Sequence, residues 1–572
     1  MRTPEERLSP TDSSTYQLRA DGCGRATEDS TDSATSCPGS LIVVSNRQPY
    51  RHEYASDRAD TTWAGDDKTM TDGTGSTTDG KETAIDEDGV MAGRQRSLTV
   101  DEPTGGLTAG LDPVVQEANG TWIAWGDGEA DFEAVDDDNC VAVPPGDESY
   151  TLRRIDLSEE AVDAYYYGFS NRVLWPLCHE FPTLVEHRSN DYEWYRTVNE
   201  LFADAVVEHA TDESIVWIQD YHFALAPRIV QESTPASVTV AQFWHVPWPT
   251  PETFRQCPAG DRLLEGLCGN DLLAFHVDRY VAQFLECVDR YLPDAAVDHV
   301  SRTVDYAGST TRVVSTPMGI DAEAYDRDAR TADPTAESVR SELGVGPETV
   351  VGLGVDRLDY SKGIPERLAA VERFFERNPG WRGEFTFVQK TSPSRTDIPA
   401  YERYGELVRS EVERINSRFE TDDWQPIVYT EAYLDRDRLC RLYRRADVMV
   451  VSPLLDGMNL VAQEYVASQV DGEGVLVLSD RTGVHELLGP HALTIDPSDV
   501  DGIADQLERA VSMPRHERQR RINTLRSRVF DADLEQWMAT QFDWIRRVHA
   551  DERGASTDHD SDSDPRERPS PV

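Results

Sequence analysis

The stretch VDRLDYSKGIPER, Val355 to Arg367, ends an apolar run with Arg357 and places Lys362 five residues on, against Gly363 and a helical pattern. Two fixed cations beside a helix start suit a diphosphate: the guanidinium forks onto two oxygens while the ammonium acts as a point charge. Only four of the 56 basic residues are lysines (Lys68, Lys81, Lys362 and Lys390), so Lys362 marks a position that asks for a compact charge on a slim stem. A salt bridge from Arg357 to Asp359 is the competing, purely structural reading. A second stretch, VVSPLLDGMNLVAQEYVASQ, passes from an apolar strand through an acidic tight turn into a helix starting near Asn459. Asp456 could accept from sugar hydroxyls, and the N–H groups of Gly457 to Leu460 point at whatever precedes the helix. Glu464, about a turn further in, could bind a ribose diol.

Five other segments carry groups of the same kind. IQDYHFALAP puts Asp220 and His222 at a strand end, and FWHVPWPTPE does so for His245. A carboxylate there can accept from hydroxyls and an imidazole can meet a sugar or phosphate oxygen; a satisfied loop aspartate and a core histidine fit as well. YYYGFSNRVLWPLCH supplies Tyr166 and Trp175, whose faces suit sugar rings and whose polar hydrogens suit phosphate, although aromatic clusters also build cores. Asn46-Arg47 follows LIVVS, and Gly105-Gly106 opens a helix in TGGLTAGLDPVVQEA. A Gly pair lets backbone approach an anion at a helix start, or simply makes a turn.

These residues follow short runs rich in Val, Ile and Leu, each succeeded by a turn and a helical pattern, as at 41–47, 214–222, 237–247, 270–278, 311–319, 349–357, 384–390, 426–432, 446–454, 474–480 and 492–497. Such runs are what strands buried on both faces of a parallel sheet require. The expected architecture is α/β with two doubly wound Rossmann-like domains, 40–335 and 336–530. A helix over 531–552 is expected to pack back on the first domain. Ligands in such sheets bind beyond the carboxyl ends of the strands, where the polar residues above fall. Segments 1–39 and 553–572 have little aliphatic content and are expected to be disordered, and an acidic insertion occupies about 50–103.

Across 572 residues there are 105 acidic side chains and a net charge of −49. A surplus spread over the whole chain is that of a surface holding water and cations in concentrated salt, and points to a halophile's cytoplasm. It argues against nucleic acid or an anionic membrane as partner. Eight cysteines without CxxC pairs indicate neither a zinc site nor a disulfide framework. No apolar run reaches membrane-span length, and the N-terminus lacks a signal-peptide core.

In their order, VVSNR, GGL, SNRVLWPLCH, QDYHFALAP, FWHVPWPTPE, VDRLDYSKGIPER, SPSR, ERIN and LLDGMNLVAQEYVASQ resemble the trehalose-6-phosphate synthase family, UDP-forming retaining glycosyltransferases of GT-B fold with two domains facing a central cleft. The resemblance runs from about Leu41 to Val548, interrupted by the insertion. It implies UDP-glucose, or another nucleoside-diphosphate glucose, as donor and glucose 6-phosphate as acceptor, giving α,α-trehalose 6-phosphate, with no metal or other cofactor. It further implies Arg47, Tyr166, Trp175 and Arg395 on the acceptor phosphate and Asp220 on its sugar. Arg357 and Lys362, helped by Gly105 and Gly106, would hold the donor diphosphate. Asp456 and the backbone of Gly457, Met458, Asn459, Leu460 and Val461 would hold donor glucose, Glu464 the ribose, and His245 would lie near the transferred glucose. The sequence departs at HVPWP, where the family usually has Phe before the final Pro, and at AQEY, commonly AKEY. A related synthase with another acceptor, such as glucosylglycerol-phosphate synthase, and a silent sugar-phosphate sensor are the alternatives. Donor base and self-association stay open.

Overall fold

The apolar runs form the central strands of two sheets. In the computed structural model, which describes residues 40–54, 97–101, 106–331, 344–346 and 348–559, Leu41–Ser45, Ile215–Gln219 and Thr239–Phe243 are buried at every position, as strands covered on both faces must be. The first sheet has ten strands in the spatial order Ala296–Asp298, Thr303–Tyr306, Ser309–Ser315, Leu272–Phe275, Thr239–Phe243, Ile215–Gln219, Leu41–Ser45, Thr121–Trp125, Tyr150–Ile155 and Cys140–Val143. Its centre is parallel and both edges are antiparallel, so the parallel expectation holds for the middle only. Tyr150–Ile155 alternates buried and half-buried positions; such a strand has polar residues on its outer face and leaves no continuous apolar run to read.

The second sheet is wholly parallel, in the order Ile427–Thr430, Phe385–Ser392, Val350–Arg357, Val448–Val451, Val475–Ser479 and Leu493–Ile495. Its helices show why they start where they do. Ile364–Arg377 begins after Gly363 in the left-handed region (φ 62°), with Pro365 in the first turn, Glu366 beside it and Arg377 in the last turn, which suits the backbone and the helix dipole at both ends. It buries Ile364, Leu368, Val371, Phe374 and Phe375, a stripe at helical spacing that fixes the helix on the sheet.

The chain passes between the sheets twice, side by side. Ile320 and Ala322 already pack in the second core, and the return occurs at 532–534, where Leu534 N–H donates to Ile320 O (2.9 Å). A Cβ on Gly319 would lie 2.2 Å from Ala532 O, so the crossing needs glycine there. After the return, Trp537 and Phe542 pack on Trp217 of the first sheet, with ring centroids 5.9 and 5.4 Å away.

Two segments differ from the sequence expectation. Arg51–Tyr54 and Leu98–Asp101, inside the 50–103 insertion, pair as an antiparallel ribbon, since Tyr54, Thr99 and Val100 are strand formers. The last helix, Leu534–His559, runs beyond residue 553 because ADERGAS contains no proline and continues an existing helix without a new nucleus. Residues 1–39, 55–96 and 560–572, which hold the rest of the tails and insertion, and Gly105 lie outside the described residues. Among the described residues no helix is long and apolar enough to cross a membrane, and six cysteines are free thiols.

Candidate functional site

Asp220 ends the Ile215–Gln219 strand in a left-handed conformation (φ 73°). Its carboxylate accepts from Tyr221 N–H at 2.9 Å. Burial pushes its pKa up to about 6, against the pull of backbone N–H groups of Tyr221 and His245 and of Arg395 and Arg47. His245, at the end of the next strand, has Nε2 3.0 Å from Gln219 Oε1; burial and the neighbouring His276 hold its pKa well below the usual imidazole value, so the ring is neutral at pH 7. Arg47 is exposed just beyond the Leu41–Ser45 strand. Its loop is tied down by Tyr165 Oη donating to Asn46 Oδ1 (3.0 Å).

Tyr166 and Trp175 are nine residues apart, and in an α-helix of about 100° per residue they would face opposite ways. Val162–Leu174 is instead π-helical; with i→i+5 bonds and about 4.4 residues per turn, nine residues make about two turns and both rings face one side. Tyr166 stacks near His222 (5.8 Å, 12°) and Trp175 lies 5.9 Å from Tyr221. The Trp175 N–H and both His222 nitrogens are buried without a protein partner among the described residues, which costs about 1–3 kcal/mol each unless a ligand or water takes them.

Onto this cluster the second sheet projects its arginines. The Arg395 guanidinium lies 3.9 Å above the Trp175 ring and Arg357 lies 5.4 Å from it, both within cation–π range. Arg395 also donates to Tyr401 Oη (2.7 Å) and Tyr221 Oη (3.3 Å) and pairs with Asp359 at 3.4 Å. Asp359 therefore serves Arg395, and no ion pair joins it to Arg357 among the described residues. Burial raises the Asp359 pKa, but Arg395, Arg357 and Lys362 hold it below the ordinary value.

Lys362 closes a single tight turn, Tyr360–Lys362, before Gly363. A Cβ on Gly363 would meet Ser452 O at 2.2 Å, so only glycine lets this turn sit against the Val448–Val451 strand. From there Lys362 Nζ reaches Asp456 Oδ2 at 2.7 Å, both side chains nearly buried. Asn459 Nδ2 donates to the same oxygen (3.0 Å), and its Oδ1 caps the Leu460–Ser468 helix at Ala462 N–H. Burial alone would raise the Asp456 pKa; Lys362 and Asn459 bring it below normal. Met458 is buried, Leu460 and Val461 half-buried. Glu464 accepts from Tyr443 Oη at 2.9 Å and from Tyr325, while burial raises its pKa.

The two units touch at this site. Tyr280 Oη donates to Asp456 O (2.9 Å), and a Cβ on Gly457 would lie 2.4 Å from His245 O. Gly106 opens the Gly106–Ala118 helix. Gln463 of AQEY is buried and donates to Met318 O (3.1 Å), holding the helix to the crossing segment. Sequence reasoning passed over Tyr221, Tyr401, Tyr443 and Tyr325, whose hydroxyls orient the charged groups; Tyr221 was visible as the neighbour of Asp220. Among the described residues no group of three or more His, Cys, Asp or Glu side chains is arranged to hold a metal ion.

The family model described as glycosyltransferase family 20 matches residues 79–547. The chain belongs to glycosyltransferase family 20. Among relatives in that family, a bifunctional trehalose-6-phosphate synthase/phosphatase of Thermoproteus tenax is 38% identical over 444 residues, 76% of this chain and 57% of the relative. The chain thus spans little more than half the length of that curated relative. A solved structure described as trehalose-6-phosphate from E. coli bound with UDP-2-fluoro glucose superposes with a TM-score of 0.73 at 30% identity, covering 89% of this chain and 99% of the other. An α,α-trehalose-phosphate synthase of Burkholderia xenovorans in complex with glucose 6-phosphate gives 0.72 at 28% identity, covering 89% and 100%. The two sheets and their helices are accordingly a GT-B fold.

Proposed function

We propose that this family 20 chain transfers glucose from UDP-glucose to glucose 6-phosphate with retention, giving α,α-trehalose 6-phosphate and UDP. The observation that carries this is the convergence of Arg357 and Arg395 from one unit on Trp175 of the other, with Asp220 within the charge of Arg395 and the Lys362–Asp456 pair acting on His179, which stacks on Trp175. Relatives bound to a UDP-glucose analogue and to glucose 6-phosphate support it.

In this reading the donor diphosphate lies between Arg357 and Lys362, near the Gly106 helix start, and relieves Lys362 of Asp456. Asp456 then accepts hydroxyls of the donor glucose, whose anionic leaving group is stabilised by cations already in place. Glu464, aimed by Tyr443 and Tyr325, takes the ribose diol. The acceptor phosphate is gathered by Arg47, Arg395, Tyr166 and the Trp175 N–H, and ionised Asp220 accepts from its sugar. The donor C1–phosphate oxygen bond breaks while C1 joins the acceptor's anomeric oxygen on the same face, and that oxygen's proton passes to the departing phosphate. A neutral His245 fits a step that needs no protein nucleophile and no charged acid. Steady-state turnover with glucose 6-phosphate, glucose and glycerol 3-phosphate as acceptors tests this: glucose 6-phosphate is expected to be preferred by at least about tenfold, and equal use of glycerol 3-phosphate would refute the acceptor assignment.

A further inference from the structure

We infer that Lys390 reads the base of the donor nucleotide, its ammonium donating to a carbonyl oxygen of a keto base such as uracil or guanine. The inference rests on the donor reading above and deepens it. Of the two lysines among the described residues, Lys362 belongs to the diphosphate site and Lys390 has no role in it. Lys390 is 7% exposed, within the Phe385–Ser392 strand.

Alternation along that strand fixes its direction. Gln389 turns to one face, where it meets Arg367 and Asp356; Val388, on the other, packs in the core with Tyr443, Ala462 and Tyr465. Lys390 shares the face of Val388, and so lies under the helix that carries Glu464. Ser392 is on that face too, and it pairs in register with Arg357, as Lys390 does with Val355. Lys390 is therefore one strand across from Arg357 and two residues back, about 5 Å by about 7 Å. With the diphosphate at Arg357 and the ribose at Glu464, the part of the nucleotide left for this face is the base.

The ammonium has three hydrogens to give, and among the described residues only the Ser392 hydroxyl receives one. No carboxylate among the described residues stands within ion-pair distance of it. Asp356 is held by Arg367 at 2.6 Å, and Glu431 by Arg409 at 2.7 Å and Tyr429 at 2.6 Å. Burial lowers the Lys390 pKa with no nearby charge opposing it. A buried ammonium so poorly satisfied calls for an acceptor from outside. A phosphate group draws on several cations and a helix start, as at Arg357 and Lys362, whereas Arg357 is two residues further along the neighbouring strand and no other charge acts on the Lys390 ammonium. A single ring carbonyl fits one donor, whereas adenine presents an amino donor where uracil and guanine carry the oxygen.

The test compares wild type with Lys390→Met in two readouts: kcat/KM for UDP-, GDP- and ADP-glucose with glucose 6-phosphate, and calorimetric Kd for UDP, GDP and ADP alone. Wild type is expected to favour UDP or GDP over ADP. Lys390→Met is expected to lose about tenfold to a hundredfold for the preferred keto nucleotide, to leave ADP nearly unchanged and to leave the KM for glucose 6-phosphate unaltered; which of UDP and GDP weakens identifies the base. Methionine matches the four-atom stem of lysine and removes only the buried ammonium, so the thermal midpoint should hold or rise. Equal loss for all three nucleotides, an unchanged preference, a wild-type preference for ADP or a lowered midpoint would each overturn the inference. Wild type that binds none of the three would overturn the donor reading itself.

Discussion

Replacing Asp456 by asparagine should weaken catalysis and tighten UDP binding at the same time. Lys362 Nζ and Asp456 Oδ2 are 2.7 Å apart, with side chains 10% and 13% exposed. At an effective dielectric of about 20 such a pair attracts by about 6 kcal/mol before desolvation, and removing one partner of a buried pair costs about 3–5 kcal/mol because the other charge stays behind. The Asp456→Asn variant would keep the shape of the turn and leave the Lys362 ammonium without its ion-pair partner, Asp359 acting on it only through space. In the wild type a diphosphate must compete with Asp456 for Lys362; in the variant it would meet a cation with no direct carboxylate contact. If about a third to a half of the lost pairing is recovered from the ligand, about 1–2.5 kcal/mol, UDP binds about fivefold to sixtyfold tighter, at about 1.4 kcal/mol per decade. Glucosyl transfer falls at least about a hundredfold in the same protein, since the acceptor of the donor's sugar hydroxyls is gone. Calorimetric titration of UDP and thermal unfolding with and without UDP would show a less stable free protein that UDP rescues more than it stabilises wild type. UDP affinity that falls in step with kcat, or a free variant as stable as wild type, would show that Asp456 does not compete with the diphosphate for Lys362.

Arg395→Lys removes a planar group stacked on Trp175 and its hydrogen bonds to Tyr221 and Tyr401, and should raise the KM for glucose 6-phosphate more than about tenfold while the KM for the donor changes little, measured by steady-state kinetics. Asp220 has its folded-state pKa raised from 3.8 to about 6, so the folded chain binds more protons than the unfolded chain between those values and loses stability as pH rises through that window. Asp220→Asn should therefore raise the thermal midpoint at pH 7.5, by up to about 3 kcal/mol in stability, yet lower kcat/KM for the acceptor; the wild-type acceptor kcat/KM should climb with pH to a plateau above about 6. With a net charge of −49 and two anionic substrates, KM for both should fall as KCl rises to molar levels, where the screening length shrinks to about 3 Å; flat or rising KM in folded protein would count against it.

Much of the site could be read from strand ends. Arg357, Asp220, His245 and Asp456 each follow an apolar run, and doubly wound sheets put such residues on one rim. What the sequence hid were relations across the fold. Lys362 and Asp456 are 94 residues apart, and their pairing depends on the neighbouring positions of Val350–Arg357 and Val448–Val451 in the sheet. An Arg357–Asp359 salt bridge is the competing reading by proximity along the chain, whereas the fold delivers Asp359 to Arg395, which arrives from the adjacent strand's loop. Tyr166 and Trp175 share a face only because of the π-helical turn, and no propensity in YYYGFSNRVL announces that. The edge strands of the first sheet, Cys140–Val143 and Ala296–Asp298, and the ribbon inside the insertion are short and largely half-buried or exposed, so they lack the buried runs by which their neighbours were found.

In the proposed reaction, cations from one unit and the Asp220 cluster from the other bring a nucleotide-activated glucose and glucose 6-phosphate together for retaining transfer. Carbon NMR of the product formed by purified protein from UDP-glucose labelled at C1 measures this directly. One UDP is expected for each disaccharide phosphate, with the label in an α-configured C1 joined to the α-configured C1 of the acceptor. Release of UDP with free labelled glucose, a β-configured linkage, or no turnover by folded protein in molar salt would contradict it.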